Sequence, residues 1–407
     1  MLSSESTEVI RATLPAVGAA IGDITVLFYR NMFTAHPELE RDLFNRGNQK
    51  TGEQQKALAG SIAAFAALQL DPDADKARIA LSRIANKHAS LGITADQYRI
   101  VYEHLFQAIV EVVGAAITPA VAKAWDELYW LMADALIRAE IDLYQSRGVE
   151  PADIWRTVTV QQRTSQSADT VTFVLSNLDG TPLPRFSPGQ YLSVGVHLPD
   201  GARQIRQYSL INAPSRNDWR ISVKRVPPSI APDGTHIDAG EVSNFLYDNL
   251  FEGDTLDVTV PSGDLTLVDG HQPLLLASAG IGCTPMIGML NHLAETASRR
   301  KIWVLHADRS AADHAHRAEL IELAAKLPQA QVHRWYEDLG ARMPVDGVRL
   351  GPANLDAVSV SPDTLAYLCG PMPFMISIRD ALIARSIPSA NIHYEVFGPG
   401  SRSRELA

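Results

Sequence analysis

The chain has 407 residues, of which 46% are hydrophobic and 20% charged, and its formal net charge at pH 7 is −10. This length exceeds what one hydrophobic core usually serves, so two or three domains are expected. An acidic chain with a pI near 5.6 is a poor partner for nucleic acids or anionic membranes, which favours small-molecule ligands. The sequence shows neither a signal-peptide pattern nor an apolar run suited to a membrane span, which predicts a cytoplasmic protein. Cys283 and Cys369 lie far apart, so neither a disulfide framework nor a zinc site is expected.

Residues 1–147 are expected to form an all-helical domain. Apolar residues recur there at helical spacing, with Gly and Pro mostly at the breaks. In the clearest segment, Tyr98, Val101, Leu105 and Ile109 mark one face. The predicted helices cover residues 6–19, 24–34, 52–69, 96–113 and 119–146.

One histidine of this domain lies on an apolar helix face. In "RIANKHASLG", helical periodicity places His88 on the same stripe as Leu81, Ile84, Ala85 and Leu91. Buried polar groups usually find partners among their neighbours, so a satisfied core histidine is the commoner arrangement on this pattern alone. A metal or haem ligand is the alternative, and the helical domain by itself leaves both open.

After "SRGVEPADIW" the hydrophobic period changes from helical to alternating. Short runs such as "TVTFVL" and "WRISVKRV", separated by Pro/Gly turns, predict a small antiparallel β-barrel over residues 152–265, with a surface loop at 227–240. Residues 270–399 alternate apolar strands with helices, which predicts a parallel sheet covered by helices, and 400–407 is expected to be a disordered tail. Strands are predicted at 273–279, 301–307, 330–336, 364–369 and 391–397, and helices at 285–297, 314–326 and 371–385.

The last domain contains two Gly/Pro turns suited to a nucleotide. In "LLLASAGIGCTPM", Gly280 and Gly282 connect a strand to a helix, so the backbone can approach a pyrophosphate at the helix N-terminus. Pro285 stands where the third glycine of G-x-G-x-x-G would be, and such a turn can also be purely structural. In "LAYLCGPM", Cys369 and Gly370 end another strand at the same carboxyl edge. Together the two turns outline a nucleotide cleft.

The barrel contains two further segments suited to a nucleotide. "RQYSL" supplies Arg206 for a phosphate, Tyr208 for a flat ring and Ser209 for a hydrogen bond, although Tyr208 could equally pack in the barrel core. "GEVSNFL" places Gly240 and Ser243 at a predicted helix start, where free N–H groups suit phosphate.

These motifs, R-x-Y-S, G-x-V-S, G-x-G-x-x-P and C-G-P in this order and spacing, resemble the ferredoxin-NADP reductase family over residues 152–399. The resemblance implies FAD held by Tyr191, Arg206, Gln207, Tyr208, Ser209, Gly240, Val242 and Ser243. It implies that Gly280, Ile281, Gly282, Cys283, Thr284 and Pro285, with Cys369 and Gly370, hold the pyrophosphate of a nicotinamide dinucleotide. The terminal "HYEVFGP" implies that Glu395, Val396, Phe397, Gly398 and Pro399 border the flavin.

A reductase that follows a helical domain in the chain suggests that the helical domain holds a one-electron acceptor. Reduced flavin can release electrons singly, and haem iron accepts them singly. Together with His88, "ITVLFYRNMF", "DLFNRGNQ" and "GEQQKAL" resemble the globin domain of bacterial flavohaemoglobins, and the resemblance then covers nearly the whole chain. It implies that His88 is the proximal haem ligand, with Tyr98 and Glu140 hydrogen-bonding around it. It also implies that Tyr29, Gln54 and Leu58 line the distal pocket and that Phe44 packs on the haem. Lys87 would lie near the haem edge that faces the flavin.

Each of these assignments has an ordinary structural alternative. Tyr29 and Tyr98 could be packing residues on their helices. Glu140 lies in a charged stretch, so it could be solvated, with Asp142 as the carboxylate beside the histidine instead. Lys87 is equally compatible with a solvated face.

The resemblance implies a nitric oxide dioxygenase, which converts NO and O2 to nitrate with electrons passed from NAD(P)H through one FAD to one haem b. Two alternatives are an O2-binding haem protein or sensor with its own reductase, and a haem-linked general NAD(P)H reductase. O2 and nitric oxide are the expected substrates of a monomer that binds no nucleic acid. Coenzyme choice stays open, because Asp308 disfavours a 2′-phosphate whereas Arg309 could pair with one.

Overall fold

The structure is a computed structural model that describes residues 2–70, 74–230, 234, 236–340, 346–356 and 358–397. The predicted tail, together with Gly398 and Pro399, lies outside the described residues. The chain divides into two compact units, the first comprising Met1–Trp155 and Gly195–Ile205, the second Arg156–Val194 and Arg206–Ala407.

The first unit contains the predicted helices. They are α1 Ser4–Ala35, α2 Pro37–Asp42, α3 Arg46–Lys50, α4 Glu53–Leu70, α5 Ala74–Ala89, α6 Ala95–Val113 and α7 Pro119–Ser146. The Thr118 hydroxyl accepts a hydrogen bond from the Val121 N–H, so it caps α7, and Pro119 at the first helical position needs no N–H partner. The all-helical prediction is confirmed, and the short helices α2 and α3 are additions to it. Helix α5 contains His88, as the helical periodicity indicated, but it ends at Ala89, before Leu91.

One predicted boundary is wrong, because α1 is a single helix where two were expected at 6–19 and 24–34. The helix continues past Pro15, although proline lacks the N–H that an interior position would donate. Ile10 and Met32, near its two ends, are both fully buried in the same core. Packing along the whole helix therefore outweighs the local cost of proline and glycine.

Helix α1 is also long and apolar. Among the described residues it is the helix whose length and composition would allow it to cross a membrane, a criterion that core helices of soluble proteins also meet. Its buried residues join a core with α6 and α7 that includes Phe28, Leu105, Trp125 and Leu128.

The β-barrel prediction is confirmed. Its strands are β1 Trp155–Ser167, β2 Thr170–Asn177, β3 Tyr191–His197, β4 Arg203–Ser209 and β5 Trp219–Lys224, followed by β6 Ser229–Ile230, β7 His236–Ile237, helix α8 Glu241–Asn249 and β8 Thr255–Thr259. Six of them form a sheet in the order β4-β3-β8-β1-β2-β5, and an antiparallel bridge between Leu210 and Ile221 joins its two edges. The pair β6–β7 is a separate short hairpin in the segment that was expected to be a loop.

The α/β prediction is also confirmed. The elements are β9 Leu274–Ala279, α9 Cys283–Glu295, β10 Ile302–Ser310, α10 Arg317–Ala325, β11 Ala330–Asp338, β12 Val348–Leu350, β13 Leu365–Cys369, α11 Met372–Ile383 and β14 Ile392–Glu395. Strand β12 was not predicted, because three residues at a sheet edge carry little periodicity. The parallel sheet has the order β12-β11-β10-β9-β13-β14, so strand order reverses between β9 and β13. In open α/β sheets, ligands bind at the carboxyl ends of the strands at such a reversal.

Candidate functional site

A buried carboxylate and a phenol hold the ring of His88. The Nδ1 atom of His88 lies 2.8 Å from Oε1 of Glu140 and 2.9 Å from the Tyr98 hydroxyl, and that hydroxyl lies 2.5 Å from the same Glu140 oxygen. Glu140 is 3% exposed, whereas Asp142, two residues farther along α7, is exposed to solvent. The structure therefore brings Glu140, rather than Asp142, to the histidine.

This network determines which nitrogen of His88 remains available. Burial, and then the Glu140 carboxylate, raises the pKa of the Tyr98 phenol, so Tyr98 stays protonated and donates to the carboxylate. Nδ1 of His88 then serves as the second donor to the carboxylate, which leaves the lone pair on Nε2. Within the described part of the chain Nε2 has no hydrogen-bond partner, and the His88 side chain is 32% exposed.

Two buried tyrosines of α7 fix the segment that carries Tyr98. The Tyr129 hydroxyl donates to the backbone carbonyl of Tyr98 at 2.6 Å, and the Tyr144 hydroxyl donates to the carbonyl of Ile93 at 3.0 Å. Burial raises the pKa of both phenols, so both remain donors. Sequence reasoning missed these two residues, because a tyrosine on an apolar face gives no sign of which backbone group it reaches.

Aromatic side chains surround the predicted distal tyrosine. Tyr29 on α1 is 4% exposed, and its ring centroid lies 5.5 Å from that of Phe33 and 5.8 Å from that of Phe44. Burial raises the pKa of the Tyr29 phenol, and a side-chain hydrogen bond with Gln54 opposes the rise. Leu58, one turn after Gln54 on α4, packs against the same core. The structure thus brings the four predicted distal residues into one apolar region.

These residues fit a haem. Haem iron needs an imidazole lone pair and an apolar slot, which Nε2 of His88 and the aromatic residues around Tyr29 provide. Among the described residues, no group of three or more His, Cys, Asp or Glu side chains could hold a metal ion. A single protein ligand would suffice for iron that a porphyrin already holds. Lys87 lies beside His88 on α5 with an exposed side chain.

The predicted flavin residues lie on β4 and at the start of α8. The Gln207 side chain donates to the Ser193 hydroxyl at 3.0 Å, which orients this part of β4. Ser209 is buried, and burial raises the pKa of the Tyr208 phenol while nearby Arg206 opposes the rise. An arginine beside a protonated phenol suits a phosphate next to a flat ring.

Only glycine fits at the start of α8. A Cβ on Gly240 would lie 2.7 Å from the Ser243 hydroxyl oxygen and 2.9 Å from Cβ of Val226. Val242 is buried and anchors the helix, whose first N–H groups receive no side-chain cap. Such a helix start is suited to an anionic group of FAD.

Tyr191 is held between neighbouring strands at the start of β3. Its backbone N–H donates to the Ser262 carbonyl at 2.8 Å, and a Cβ on Gly263 would lie 2.8 Å from its ring. The ring is therefore fixed against a backbone that only glycine allows.

The two glycine turns of the parallel sheet pack directly on each other. A Cβ on Gly282 would lie 2.4 Å from the carbonyl oxygen of Cys369, and one on Gly370 would lie 3.0 Å from Cβ of Ala279. Gly280 has a φ of +54°, in the left-handed region that favours glycine. Because β9 and β13 are adjacent and parallel, both turns lie at one sheet edge. This close backbone approach fits a pyrophosphate cradle.

Helix α9 begins at Cys283, two residues before the predicted start at Pro285. The Thr284 hydroxyl donates to the Ile281 carbonyl at 3.0 Å, within the turn itself. Burial raises the pKa of the Cys283 thiol to about 12, and burial also raises the pKa of the Cys369 thiol. Both cysteines are therefore neutral packing groups at neutral pH.

The terminal strand places Glu395 beside Cys369 in the register of β14 on β13. Val396 packs against the neighbouring core, and Phe397 is 49% exposed. The predictions for Gly398 and Pro399 lie outside the described residues.

The two residues considered for coenzyme choice both contact other side chains. The Asp308 carboxylate is almost fully buried, with Oδ2 3.4 Å from Nε2 of His306. Arg309 is mostly exposed, and its Nη2 lies 3.0 Å from Asp313 and 3.7 Å from Asp169. The Asp308 carboxylate is thus turned toward the histidine, and Arg309 toward two carboxylates.

Sequence reasoning missed a cluster of three buried histidines near these residues. The rings of His306 and His314 are stacked with centroids 3.7 Å apart. Nδ1 of His314 lies within hydrogen-bond distance of the Tyr336 hydroxyl, at 2.9 Å. His316 contacts Glu319 at 2.8 Å, and although burial acts in the opposite direction, this contact lowers the pKa of Glu319 to about 2. The segment "LHADRSAADHAH" contains all three histidines, but no periodic pattern there indicates burial.

Three family models match consecutive parts of the chain. The globin model matches residues 26–136, the oxidoreductase FAD-binding domain matches 157–267, and the oxidoreductase NAD-binding domain matches 276–380. These matches assign haem, FAD and a nicotinamide dinucleotide to three successive parts of the chain.

Relatives match over nearly the full length. A flavohemoprotein from Bordetella pertussis is 41% identical, covering 98% of this chain and 99% of that protein, and one from Rhizobium meliloti is 39% identical with the same coverage. A solved flavohemoglobin from Malassezia yamatoensis, with bound FAD and heme, is 35% identical with a TM-score of 0.85, covering 98% of this chain and 100% of that one. The FAD/NAD-binding domain of a nitric oxide dioxygenase from Vibrio cholerae is 36% identical with a TM-score of 0.54, covering 60% of this chain and 99% of that one. The chain therefore belongs to the flavohemoproteins, NAD(P)H-dependent oxidoreductases that carry haem and FAD.

Proposed function

We propose that this chain is a nitric oxide dioxygenase, which converts NO and O2 to nitrate with electrons from NAD(P)H. The observation that carries the proposal is the buried Glu140 carboxylate, which lies within hydrogen-bond distance of both His88 and Tyr98. A carboxylate partner makes an imidazole ligand more electron-donating and fixes its orientation. Electron donation from the proximal ligand favours O–O bond cleavage over reversible oxygen carriage. The similarity of 60% of the chain to the FAD/NAD-binding domain of a nitric oxide dioxygenase supports the same activity.

When bound, NAD(P)H supplies a hydride, FAD divides its electron pair into single electrons, and haem iron provides the centre where O2 and NO react. Nε2 of His88 would hold the iron. Tyr98 and Glu140 keep the proton on Nδ1 of His88 and fix the plane of its ring. These three side chains therefore set the electron density that the protein delivers from the proximal side.

The ligand side of the haem pocket, where O2 and NO would bind, depends on one protonated phenol. Burial keeps Tyr29 protonated, so its hydroxyl can donate a hydrogen bond to a ligand oxygen that carries negative charge. Gln54 contacts this hydroxyl and can orient it. Phe44 and Leu58 are apolar neighbours that would limit water around it.

The electron-supplying cofactors would be bound by the proposed domains 152–265 and 270–399, which follow a haem domain at 1–147. FAD would contact Tyr191, Arg206, Gln207, Tyr208, Ser209, Gly240, Val242 and Ser243, and Glu395 to Pro399 would border its ring. The turn 280–285, with Cys369 and Gly370, would hold the pyrophosphate of NAD(P)H, since Gly282 lets the two turns meet at the sheet edge.

Steady-state oxidation of NADH and NADPH with different acceptors tests the proposal. With NO and O2 together, we expect rapid coenzyme oxidation and one nitrate per NO consumed. O2 alone, ferric ion or a quinone should be slower acceptors. Rapid turnover with ferric ion or a quinone, and no acceleration when NO is added to O2, would instead support a general reductase. Slow turnover with every acceptor would support an oxygen-binding protein or sensor.

A Tyr29→Phe substitution tests the ligand side. Removing one donor to developing charge typically costs about 100-fold or more in rate, so we expect faster O2 dissociation and lower NO consumption. Reduction of flavin by NAD(P)H should be unchanged. Tyr247→Phe is the matched control, because its hydroxyl donates to the Ala168 carbonyl in the other unit. An unaltered O2 dissociation rate in Tyr29→Phe would remove Tyr29 from this role.

A further inference from the structure

The hairpin 195–205 belongs to the helical unit, although its strands continue into the barrel sheet. Its most buried polar side chain is Gln204 on β4, which is 1% exposed. A buried amide needs partners for both its donor and its acceptor atoms. Three of the partners of Gln204 are backbone groups of one short helical segment.

That segment is the junction between α2 and α3, where helix ends leave backbone groups without intrahelical partners. Nε2 of Gln204 donates to the carbonyl of Arg41 and to the carbonyl of Phe44, both at 3.1 Å. Oε1 of Gln204 accepts from the N–H of Arg46 at 3.3 Å. One side-chain amide therefore satisfies a carbonyl in the last turn of α2 and the first N–H of α3.

Two further contacts join the hairpin to the same segment. The Arg203 N–H donates to the Asp42 carboxylate at 3.2 Å, and Arg46 pairs with Asp200 at 2.6 Å. The Arg46 side chain is 24% exposed and the Asp200 side chain 54%, and an ion pair that solvent reaches contributes little. The buried amide of Gln204 is thus the stronger constraint.

Phe44 supplies one of the two carbonyls of this segment that accept from Gln204. Its ring centroid is 5.8 Å from that of Tyr29 and 5.3 Å from that of Phe33, in edge-to-face arrangements. A shift of the Phe44 backbone would therefore move a ring that packs against the Tyr29 phenol. Beyond Gln204, β4 runs on into Arg206 and Ser209, the residues proposed for FAD.

We propose that Gln204 is a positioning residue for the ligand side of the haem pocket. Its amide fixes the Phe44 backbone, and the Phe44 ring in turn fixes Tyr29. Ligand binding at the haem thereby depends on a side chain of the strand that carries the flavin motif. The inference rests on the proposed placement of Tyr29 and Phe44 beside the haem, and it does not depend on NO as the substrate.

The test uses the full chain loaded with haem and FAD, with carbon monoxide as the probe. Gln204→Met keeps the length of the side chain but removes its donor and acceptor atoms. Losing buried hydrogen bonds worth about 1 kcal/mol corresponds to a roughly three- to tenfold change, which we expect in the CO recombination rate after flash photolysis. The Fe–CO stretching frequency should shift as well. Asp200→Asn, which weakens the exposed pair on the same hairpin, should leave both values unchanged.

A purely structural role would lower only the melting temperature. The inference is wrong if Gln204→Met is less stable but keeps the wild-type CO rate and frequency, while Tyr29→Phe changes both. If Tyr29→Phe changes neither, the proposed ligand side itself is wrong and the role of Gln204 falls with it. Should Gln204→Met fail to bind haem, Gln204→Glu serves instead, since a carboxylate still accepts from Arg46 but cannot donate to the two carbonyls.

Discussion

Two regions of the molecule contain inward-facing histidines, and they differ in what each ring nitrogen contacts. His88 in the helical unit uses Nδ1 for Tyr98 and Glu140 and has a partly exposed side chain. His306 and His314 in the second unit, the nucleotide-binding unit, are stacked on each other, and their exposed fractions are 0% and 2%. Burial therefore does not identify a ligand histidine.

What distinguishes the two regions is access to a lone pair. The carboxylate at Nδ1 of His88 leaves Nε2 as the basic nitrogen on a ring that an incoming group can reach. In the other region, Nδ1 of His306 contacts the Ser278 hydroxyl at 2.9 Å and its Nε2 faces Asp308. The first histidine thus keeps an accessible ring nitrogen, whereas the second completes a polar core.

The largest expected effect is that of His88→Gly. Without the imidazole the chain should lose most of its bound haem, visible as loss of the Soret band, while its flavin is still reduced by NAD(P)H. Added imidazole should restore part of the Soret band, because it can occupy the space that the side chain leaves. His314→Gln is the matched control and should keep its full haem content. A Soret band of normal intensity in His88→Gly would show that another residue holds the iron.

How far the sequence determined these regions depends on the range of the interactions. Helix α7 was predicted at its observed limits, because Thr118, Pro119 and the apolar period are local signals. The family resemblance pointed to Glu140, but the residue pattern alone left Asp142 open. Two residues on a helix point to different sides, and only packing against α5 decides which one meets His88.

The contacts of Gln204 lay beyond sequence reasoning for the same reason. Its partners are backbone groups of Arg41, Phe44 and Arg46, more than 150 residues away, and backbone groups look alike in every sequence. The motif R-x-Y-S that begins two residues later was recognisable, because side-chain chemistry at fixed spacing identifies a nucleotide site. Sequence thus indicated the groups that meet cofactors better than the groups that position them.

A Glu140→Gln substitution tests the carboxylate partner of His88 in the helical unit. Glutamine keeps the shape but removes the charge that faces His88 and Tyr98, so the imidazole should become a weaker electron donor. We expect a lower Fe–His stretching frequency in the ferrous protein and NO consumption reduced about tenfold or more, the usual cost of losing such a partner. Asp142→Asn, on the exposed side of the same helix, should change neither value. Equal effects of the two substitutions would contradict the assignment.

The buried histidines of the nucleotide-binding unit should instead appear in the pH dependence of stability. Burial lowers the pKa of both His306 and His314, with Asp308 opposing the shift at His306. An unfolded histidine binds a proton below about pH 6.5, whereas these folded rings stay neutral there. The unfolded state then binds more protons, so the free energy of unfolding falls as the pH falls below that value. Charged groups facing the pair are Asp308, Lys224, Arg317 and Arg334.

The smallest expected effect is a change in how steeply the free energy of unfolding varies with pH in His314→Gln. Each buried neutral histidine contributes a slope of at most about 1.4 kcal/mol per pH unit, and the variant should lose that contribution between pH 6.5 and 5.5, roughly the range below the unfolded value. Urea unfolding at several pH values, followed by flavin fluorescence, measures it. His271→Gln, at an exposed position, is the matched control and should keep the wild-type slope. If both variants keep the wild-type slope, His314 takes up its proton in the folded chain as it does in the unfolded one. His88 and His314 would then differ in ligand access but not in the protonation of the buried ring.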